Sequence, residues 1–303
     1  MRSVLEKLWD AVVVGAGPAG ASCAVWLRHL GFKPLLIEAS DRIGGLAARN
    51  PFDDIWTVTS PHQTGVQVAQ HMAEQVQASG IEVWFESCLQ ALDGQKPVFE
   101  LSVARAGAAP VIVRAKRVVL ATGVKPRGLA GFEDQSLPGV IVGPGDAIMA
   151  LAFAGKRVAI LGGGDNAFEN YEFAKSRGAS DVKIFARTVR AQKQFVSRVL
   201  AADLHIGSTQ VDPVARTVNG QTYDYLLVFY GWQANLDFAA TPALAIDERG
   251  FVATDAACAQ TSLPGVFAIG ELAQRMHPCV PTAMADGVVA AKAIERDLSA
   301  QSV

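Results

Sequence analysis

An α/β fold of two Rossmann-like dinucleotide-binding domains is what the sequence predicts, and three observations carry it. Two apolar strands each run straight into a glycine-rich turn, at "VVVGAGPAG" and "AILGGGDNAFE". Each turn opens a helical stretch, and each helix leads into a second apolar strand. Glycine turns are common, but a glycine turn inside a strand–helix–strand unit is a specific signal for a dinucleotide.

The first unit begins with "AVVV" at 11–14, continues through "GAGPAG", and reads as a helix over "ASCAVWLRHLG". A second strand, "PLLIE", ends in Glu38, about 20 residues beyond the turn, where an acid accepts ribose hydroxyls. Gly15 permits the tight turn, Gly17 lets backbone approach a pyrophosphate, and Gly20 lets the helix pack closely on the sheet. Pro18 and Ala19 complete the turn, and the helix N-terminus faces the phosphates. In "DRIGG" the pair Gly44 and Gly45 allows a second close backbone approach.

The second unit repeats the plan with Gly162, Gly164 and Ala167 as a GxGxxA variant, with Asp165 and Asn166 inside the turn. Its helix runs to about Arg177, and "DVKIF" is the following strand. The strand ends in "ARTVRAQK" instead of an acid. Arg187 and Arg190 can pair with a 2′-phosphate, so NADPH is expected in preference to NADH, with a solvated basic loop as the alternative. One nucleotide then passes a hydride to the other: the acid-terminated unit suits FAD and the arginine-marked unit suits NADPH.

Between the units lie a periodic helix at 64–80 and strands at "IEVWFE", "PVFELSVAR" and "VIVRAKRVVLATG". Beyond the second unit come "YDYLLVFYGWQAN", "LPGVFAIGELAQ" and a last helix, "PTAMADGVVAAKAIERDL", with Pro281 near its first position and Thr282 next. Hydrophobic residues are 50% and charged residues 18%, enough for sizeable cores. A net charge of −2 gives no electrostatic reason to expect nucleic acid or an anionic membrane. No apolar run has the length of a membrane span and the start has no signal-peptide pattern, so a soluble cytoplasmic protein is expected. The four cysteines (23, 88, 258, 279) are too scattered for a CxxC pair or a zinc knuckle, and mostly buried reduced thiols are expected. The five histidines show no ligand spacing, and no metal site is expected.

"GAGPAG…E", "ATG" at 121–123, "GGGDNAFE" and "TSLPGVFAIGE" at 261–271 together resemble the two-dinucleotide flavoproteins, in particular the low-molecular-weight thioredoxin reductase group, over nearly the whole chain. The resemblance implies a discontinuous FAD domain, 1–122 plus 241–303, with an NADPH domain, 123–240, inserted in it. It places Ala121, Thr122 and Gly123 in the FAD site. Gly270 and Glu271 fall by the ribityl-phosphate region, where Glu271 stands in place of the family's usual Asp. Pro281, Thr282 and Ala283, at the start of the last helix, would point that helix at the flavin ring. It further implies a homodimer and a rotation of the NADPH domain, with pivots near Gly123–Val124 and around Ala239–Thr241.

Thioredoxin reductases carry a CxxC pair just upstream of the second turn, where this chain reads "VIVGPGDAIMALAFAGKRV". A thiolate pair is what passes electrons to a disulfide. Without it, the chain resembles the thioredoxin-reductase-like ferredoxin/flavodoxin–NADP reductases, through "PTA" at 281–283 and "FAGKRVAILGGGD" at 153–165. Ferredoxin or flavodoxin is then the implied acceptor. Reduction of a quinone or oxygen, or a flavin-holding module with a decayed NADPH unit, are the alternatives. In that group a tyrosine after the paired glycines stacks on flavin, and here the position falls around Asn50. Trp56 reads either as its substitute or as a core tryptophan. Cys279 and His277, just before the last helix, fall near the flavin by the same resemblance; a packed thiol is the alternative to a redox role.

Overall fold

The computed structural model describes residues 7–132, 136–238 and 244–300. The chain divides into two compact units, Met1–Val124 with Ala234–Val303, and Lys125–Gln233. Helices among the described residues are numbered in chain order: α1 Pro18–His29, α2 Gly65–Ala78, α3 Asp146–Met149, α4 Asp165–Ser176, α5 Lys193–Val196 and α6 Val280–Ser299.

The first unit is built on a parallel sheet in the order Val266–Ala268, Val118–Leu120, Ala11–Val14, Pro34–Ile37, Glu82–Trp84. Every residue of Ala11–Val14 is buried, as an unbroken apolar run requires when both faces of a strand are covered. One face carries α1 and α6, packed through Ala21, Leu27, Ala290 and Ile294. The two helices meet closely because Gly287 has no side chain: a Cβ there would lie 2.4 Å from the Ala19 carbonyl oxygen. The other face carries an antiparallel meander of Ser87–Gln95, Val98–Arg105 and Ala108–Ala115, whose Phe99, Leu101 and Val103 are fully buried. Burying such a side chain contributes about 1.5–3 kcal/mol.

The run "VIVRAKRVVLATG", expected as one strand, is two. Ala108–Ala115 belongs to the meander and Val118–Leu120 to the parallel sheet. The break falls at Lys116 and Arg117, which are held by Asp10 and Asp297 at 2.8 and 2.7 Å. "YDYLLVFYGWQAN" divides likewise into Tyr225–Val228 and Trp232–Ala234.

The second unit has its own parallel sheet, ordered Val140–Val142, Tyr225–Val228, Arg157–Leu161, Asp181–Ala186, Leu204–Ile206. α4 packs Phe168, Tyr171 and Ala174 onto Val158, Ile160, Val182 and Ile184. The chain passes between the units through Val124–Pro126 and Trp232–Ala234, which pair as a two-stranded ribbon. Of the two expected pivots, Gly123–Val124 stands at the start of this ribbon, with Gly123 at φ +67. Ala239–Thr241 lies outside the described residues. No helix among the described residues is long and apolar enough to cross a membrane, and no group of three or more His, Cys, Asp or Glu side chains among them could hold a metal ion.

Candidate nucleotide-binding sites

In the first unit, four adjacent parallel strands end on one edge. Val14 leads into Gly15, Ile37 into Glu38, Leu120 into Ala121, and Ala268 through Ile269 into Gly270. The carboxyl ends of parallel strands are where open α/β sheets bind ligands. Three glycines of the turn differ in what they do. A Cβ on Gly15 would stand 2.3 Å from the Ala121 carbonyl oxygen, and one on Gly20 only 1.9 Å from that of Gly15. A Cβ on Gly17 would meet only the Gly45 Cα, 3.9 Å away, and its φ of −68 suits any residue. Packing therefore demands glycine at 15 and 20 but not at 17, where open space remains above the backbone.

Glu38 is buried, with Oε2 accepting from Ala16 N–H at 2.7 Å and Oε1 accepting from the Ser40 N–H and hydroxyl at 2.8 and 2.7 Å. The acid thus braces the turn it was expected to serve. Gly44 donates to the Ala16 carbonyl at 2.8 Å and Gly45 lies against Gly17, which brings the "DRIGG" pair onto the turn. Thr122 is fixed by its hydroxyl, which donates to the Asn235 carbonyl at 2.7 Å. α1 starts with Gly17 as its N-cap residue and Pro18 as its first, and no side chain caps it.

Beside this edge, Gly270, Glu271, His277, Cys279, Thr282 and Ala283 line one hollow together with Arg275 and Asp286. The first six were expected at the site from the sequence; the last two were not. Asp286, on α6, is 2% exposed. Its Oδ2 accepts from Gly270 N–H at 2.8 Å, and Arg275 Nη1 lies 3.0 Å from its Oδ1 without hydrogen-bond alignment. Asp286 Oδ1 and Arg275 Nε and Nη1 are buried without a hydrogen-bond partner. Such unmatched polar atoms call for a ligand or water. Burial pushes the Asp286 and Glu271 carboxyls up, Asp286 being held back partly by Gly270 and Arg275. Cys279 is the N-cap residue of α6, so Val280 is its first residue and Pro281 its second, one place later than expected. Cys279 Sγ lies 3.2 Å from Thr282 Oγ1, while His277 is exposed.

In the second unit, Leu161 leads into Gly162 and Ala186 into Arg187, again at the carboxyl ends of parallel strands. A Cβ on Gly162 would lie 2.5 Å from the Phe229 carbonyl oxygen, and one on Gly163 only 2.0 Å from that of Thr188. A Cβ on Gly164, the N-cap residue of α4, would meet nothing within 4 Å, and no side chain caps that helix. Gly163 is thus the tightest point of the turn, and GxGxxA spacing passes over it. Ala167 is fully buried beneath α4. Asp165 accepts from Gln192 N–H and Nε2 at 2.8 and 3.0 Å, tying the arginine-bearing loop to the turn. The Asn166 carbonyl accepts from Asn170 Nδ2 at 2.8 Å. Arg187 and Arg190 are exposed.

Sequence reasoning also missed two titratable groups here. Burial, with Asp165 and Glu172 nearby, pushes the Glu169 carboxyl up to about 7. Burial likewise raises the Tyr230 phenol, against the pull of Arg187. The signal for Glu169 was its place one turn into a helix that already holds Asp165.

Two expectations are corrected. Of the four thiols only Cys23 is buried; Cys88 is exposed, and Cys258 and Cys279 are half-buried. Cys88 alternates outward on the meander, and the other two sit at turns or helix ends that a sheet cannot cover. Trp56 is not a core tryptophan: it is 51% exposed, on a loop held by Asp54, which accepts from Trp56 N–H, Thr57 N–H and the Thr57 hydroxyl. Asn50 turns its side-chain oxygen to Phe52 N–H at 3.0 Å.

Residues 9–287 match the pyridine nucleotide-disulphide oxidoreductase family. The thioredoxin reductase of Bacillus subtilis is 24% identical over 310 residues, covering 96% of this chain and 95% of that one. The ferredoxin–NADP reductase of Gluconobacter oxydans is 27% identical over 293 residues, covering 87% and 84%. The crystal structure of T. acidophilum thioredoxin reductase superposes with a TM-score of 0.79 at 21% identity, covering 97% and 99%. The fold is that of the low-molecular-weight thioredoxin reductases, with two dinucleotide-binding domains. The chain belongs to the pyridine nucleotide-disulphide oxidoreductase family, as an FAD-dependent NAD(P)H oxidoreductase with FAD and NADPH as cofactors.

Proposed function

From that membership we propose an NADPH oxidoreductase that serves a non-disulfide acceptor, a ferredoxin or flavodoxin. The observation that carries this reading is the lack of any cysteine from 89 to 257, where a thiol pair would have to stand. Passing electrons to a disulfide needs such a pair. A ferredoxin–NADP reductase among the relatives adds support.

FAD is assigned to the unit Met1–Val124 with Ala234–Val303, and NADPH to Lys125–Gln233. The bound flavin supplies hydride acceptance and electron delivery. Gly15, Gly17, Pro18, Ala19 and Gly20 would hold its pyrophosphate at the uncapped start of α1, with Gly44 and Gly45 alongside. Glu38 would orient the ribose, and Ala121, Thr122 and Gly123 would line the adjoining strand end. Gly270, Glu271 and the unmatched Oδ1 of Asp286 are acceptors and turns suited to a polyol chain. Pro281, Thr282 and Ala283 would bring the positive end of α6 toward the ring, favouring negative charge there. Gly162, Gly164, Asn166 and Ala167 would hold the NADPH pyrophosphate at α4, with Asp165 fixing the loop. Arg187 and Arg190 would take the 2′-phosphate. We further propose a homodimer, to be checked as a solution mass twice that of the chain.

Anaerobic titration tests the reading. NADPH should bleach the flavin rapidly and NADH more slowly, and ferredoxin or flavodoxin should reoxidise it faster than thioredoxin does. No bleaching by NADPH, or faster turnover with thioredoxin, would overturn it. A second reading, reduction of a small acceptor such as a quinone, is favoured by one observation. The segment after the paired glycines offers Asn50, turned back on its own loop, where the resemblance expects a stacking tyrosine. Turnover faster with a soluble quinone than with either protein carrier would select it.

A further inference from the structure

α6 links two distant places in the first unit. Its N-cap Cys279 borders the hollow described above, and Asp297 lies 18 residues further on, about 27 Å along the helix at 1.5 Å per residue. At that far end an open cavity of about 300 Å³ is lined by Lys96, Cys258, Gln260, Phe267, Ala293, Arg296 and Asp297. None of these residues has a part in the proposed nucleotide sites.

The charges around the cavity do not balance. Asp297 Oδ2 receives both Lys96 Nζ at 2.6 Å and Arg117 Nε at 2.7 Å. Arg117 is wholly buried, so water cannot screen its charge, and its Nη2 has no partner. The Arg296 side chain makes no hydrogen bond or ion pair among the described residues. Two cations thus hold one carboxylate, and a third, Arg296, lines the same cavity. The neighbouring Asp255, whose Oδ1 accepts from Ala257 N–H, Cys258 N–H and the Cys258 thiol, adds a second carboxylate, and one net positive charge remains. Gln260 uses its oxygen on Gly265 N–H at 3.4 Å, which leaves its amide nitrogen without a partner. Cationic and amide donors stand at the rim, and Phe267 and Ala293 form an apolar floor. A low-dielectric wall beside an uncompensated positive cluster concentrates anions.

We infer that this cavity binds a small organic anion, with carboxylate or phosphate oxygens on Arg296, Lys96 and Gln260 and an apolar body against Phe267 and Ala293. The volume is at the lower end of small-molecule sites. The site is independent of the flavin reading.

The test is calorimetric titration of the flavin-loaded protein, at constant ionic strength, with phenyl phosphate, benzoate and inorganic phosphate. Saturable binding of phenyl phosphate or benzoate is expected, about 10-fold or more tighter than inorganic phosphate, and the better of the two identifies the head group. Arg296→Ala, which breaks no hydrogen bond or ion pair among the described residues, should weaken that binding about 10-fold, as loss of a charged hydrogen bond does. Arg296→Lys should restore part of it, and flavin content and bleaching by NADPH should not move in either variant. No saturable binding of any of the three overturns the proposal. So does equal affinity for inorganic and phenyl phosphate, or an Arg296→Ala variant that binds like the parent.

Discussion

The two glycine turns are built alike and finished differently. Each sits between a parallel strand and a helix of twelve residues whose N-cap is glycine and has no capping side chain. α2, which belongs to neither turn, is closed by a capping box between Thr64 and Gln67. Helix starts that lack a side-chain cap need another partner for their first N–H groups. The difference lies at the end of the second strand. There the first turn is braced by a buried acid, Glu38, and the second opens onto exposed Arg187 and Arg190. A buried acid that also hydrogen-bonds its own turn suits a cofactor that stays. Exposed arginines suit one that exchanges.

The strongest way to break the comparison is to separate packing glycines from ligand glycines. Gly20→Ala would drive a Cβ to 1.9 Å from the Gly15 carbonyl oxygen, and Gly163→Ala to 2.0 Å from that of Thr188. Each should destabilise its unit by about 3 kcal/mol or more, since neither backbone can yield cheaply. Gly17→Ala and Gly164→Ala have room and ordinary φ, so thermal unfolding of the unliganded protein should stay within about 0.5 kcal/mol. The first of these should lower FAD retention and the second NADPH affinity. Unchanged binding in both would mean that neither turn holds a pyrophosphate.

The arginines sharpen the contrast next. Arg187→Ala with Arg190→Ala should weaken NADPH about 10- to 100-fold and barely alter NADH, as loss of one or two charge-assisted hydrogen bonds predicts. Bleaching titrations with both nucleotides measure it. Equal loss for the two would remove the 2′-phosphate assignment.

Both turns and their strands were legible in the sequence because a GxGxxG in strand–helix–strand context obeys local rules. What escaped was set by tertiary packing. Lys116 and Arg117 interrupt an apolar run that periodicity alone joins, and the reason is two distant carboxylates, Asp10 and Asp297. Asp286 reads as an ordinary helix residue until α6 docks and brings it under Gly270. Gly163 falls at a position the motif treats as free, yet the chain returning through Thr188 makes it obligatory. Exposure of Cys88 and Trp56 was likewise decided by which face the fold left open.

Glu169 gives a smaller effect, confined to the second turn. Burial first, then Asp165 and Glu172, raise its carboxyl to about 7 in the folded protein from an ordinary 4.5. Its contribution to stability is therefore full below pH 4.5 and is lost as pH rises through about 7. Glu169→Gln should match the parent at pH 4.5 and exceed it at pH 8 by about 1 kcal/mol, a figure reduced for partial solvent exposure. Melting curves across that range decide it. A variant no more stable than the parent at pH 8 would place the carboxylate in solvent.

Cys279 carries the smallest expected effect, and the reason is structural. As the N-cap residue of α6 it borders the hollow described above. Its nearest polar neighbour is the Thr282 hydroxyl at 3.2 Å. No second thiol stands beside it in the hollow. A lone thiol has no resolving partner with which to close a disulfide. Cys279→Ser keeps a polar atom at the helix start and should leave turnover with ferredoxin, flavodoxin and quinone within about 2-fold of the parent, less than 0.5 kcal/mol in barrier. A loss of 100-fold with one acceptor and not with the others would instead make the thiol part of that acceptor's path. Electrons would then leave the flavin for that acceptor through a single thiol, without a CxxC pair.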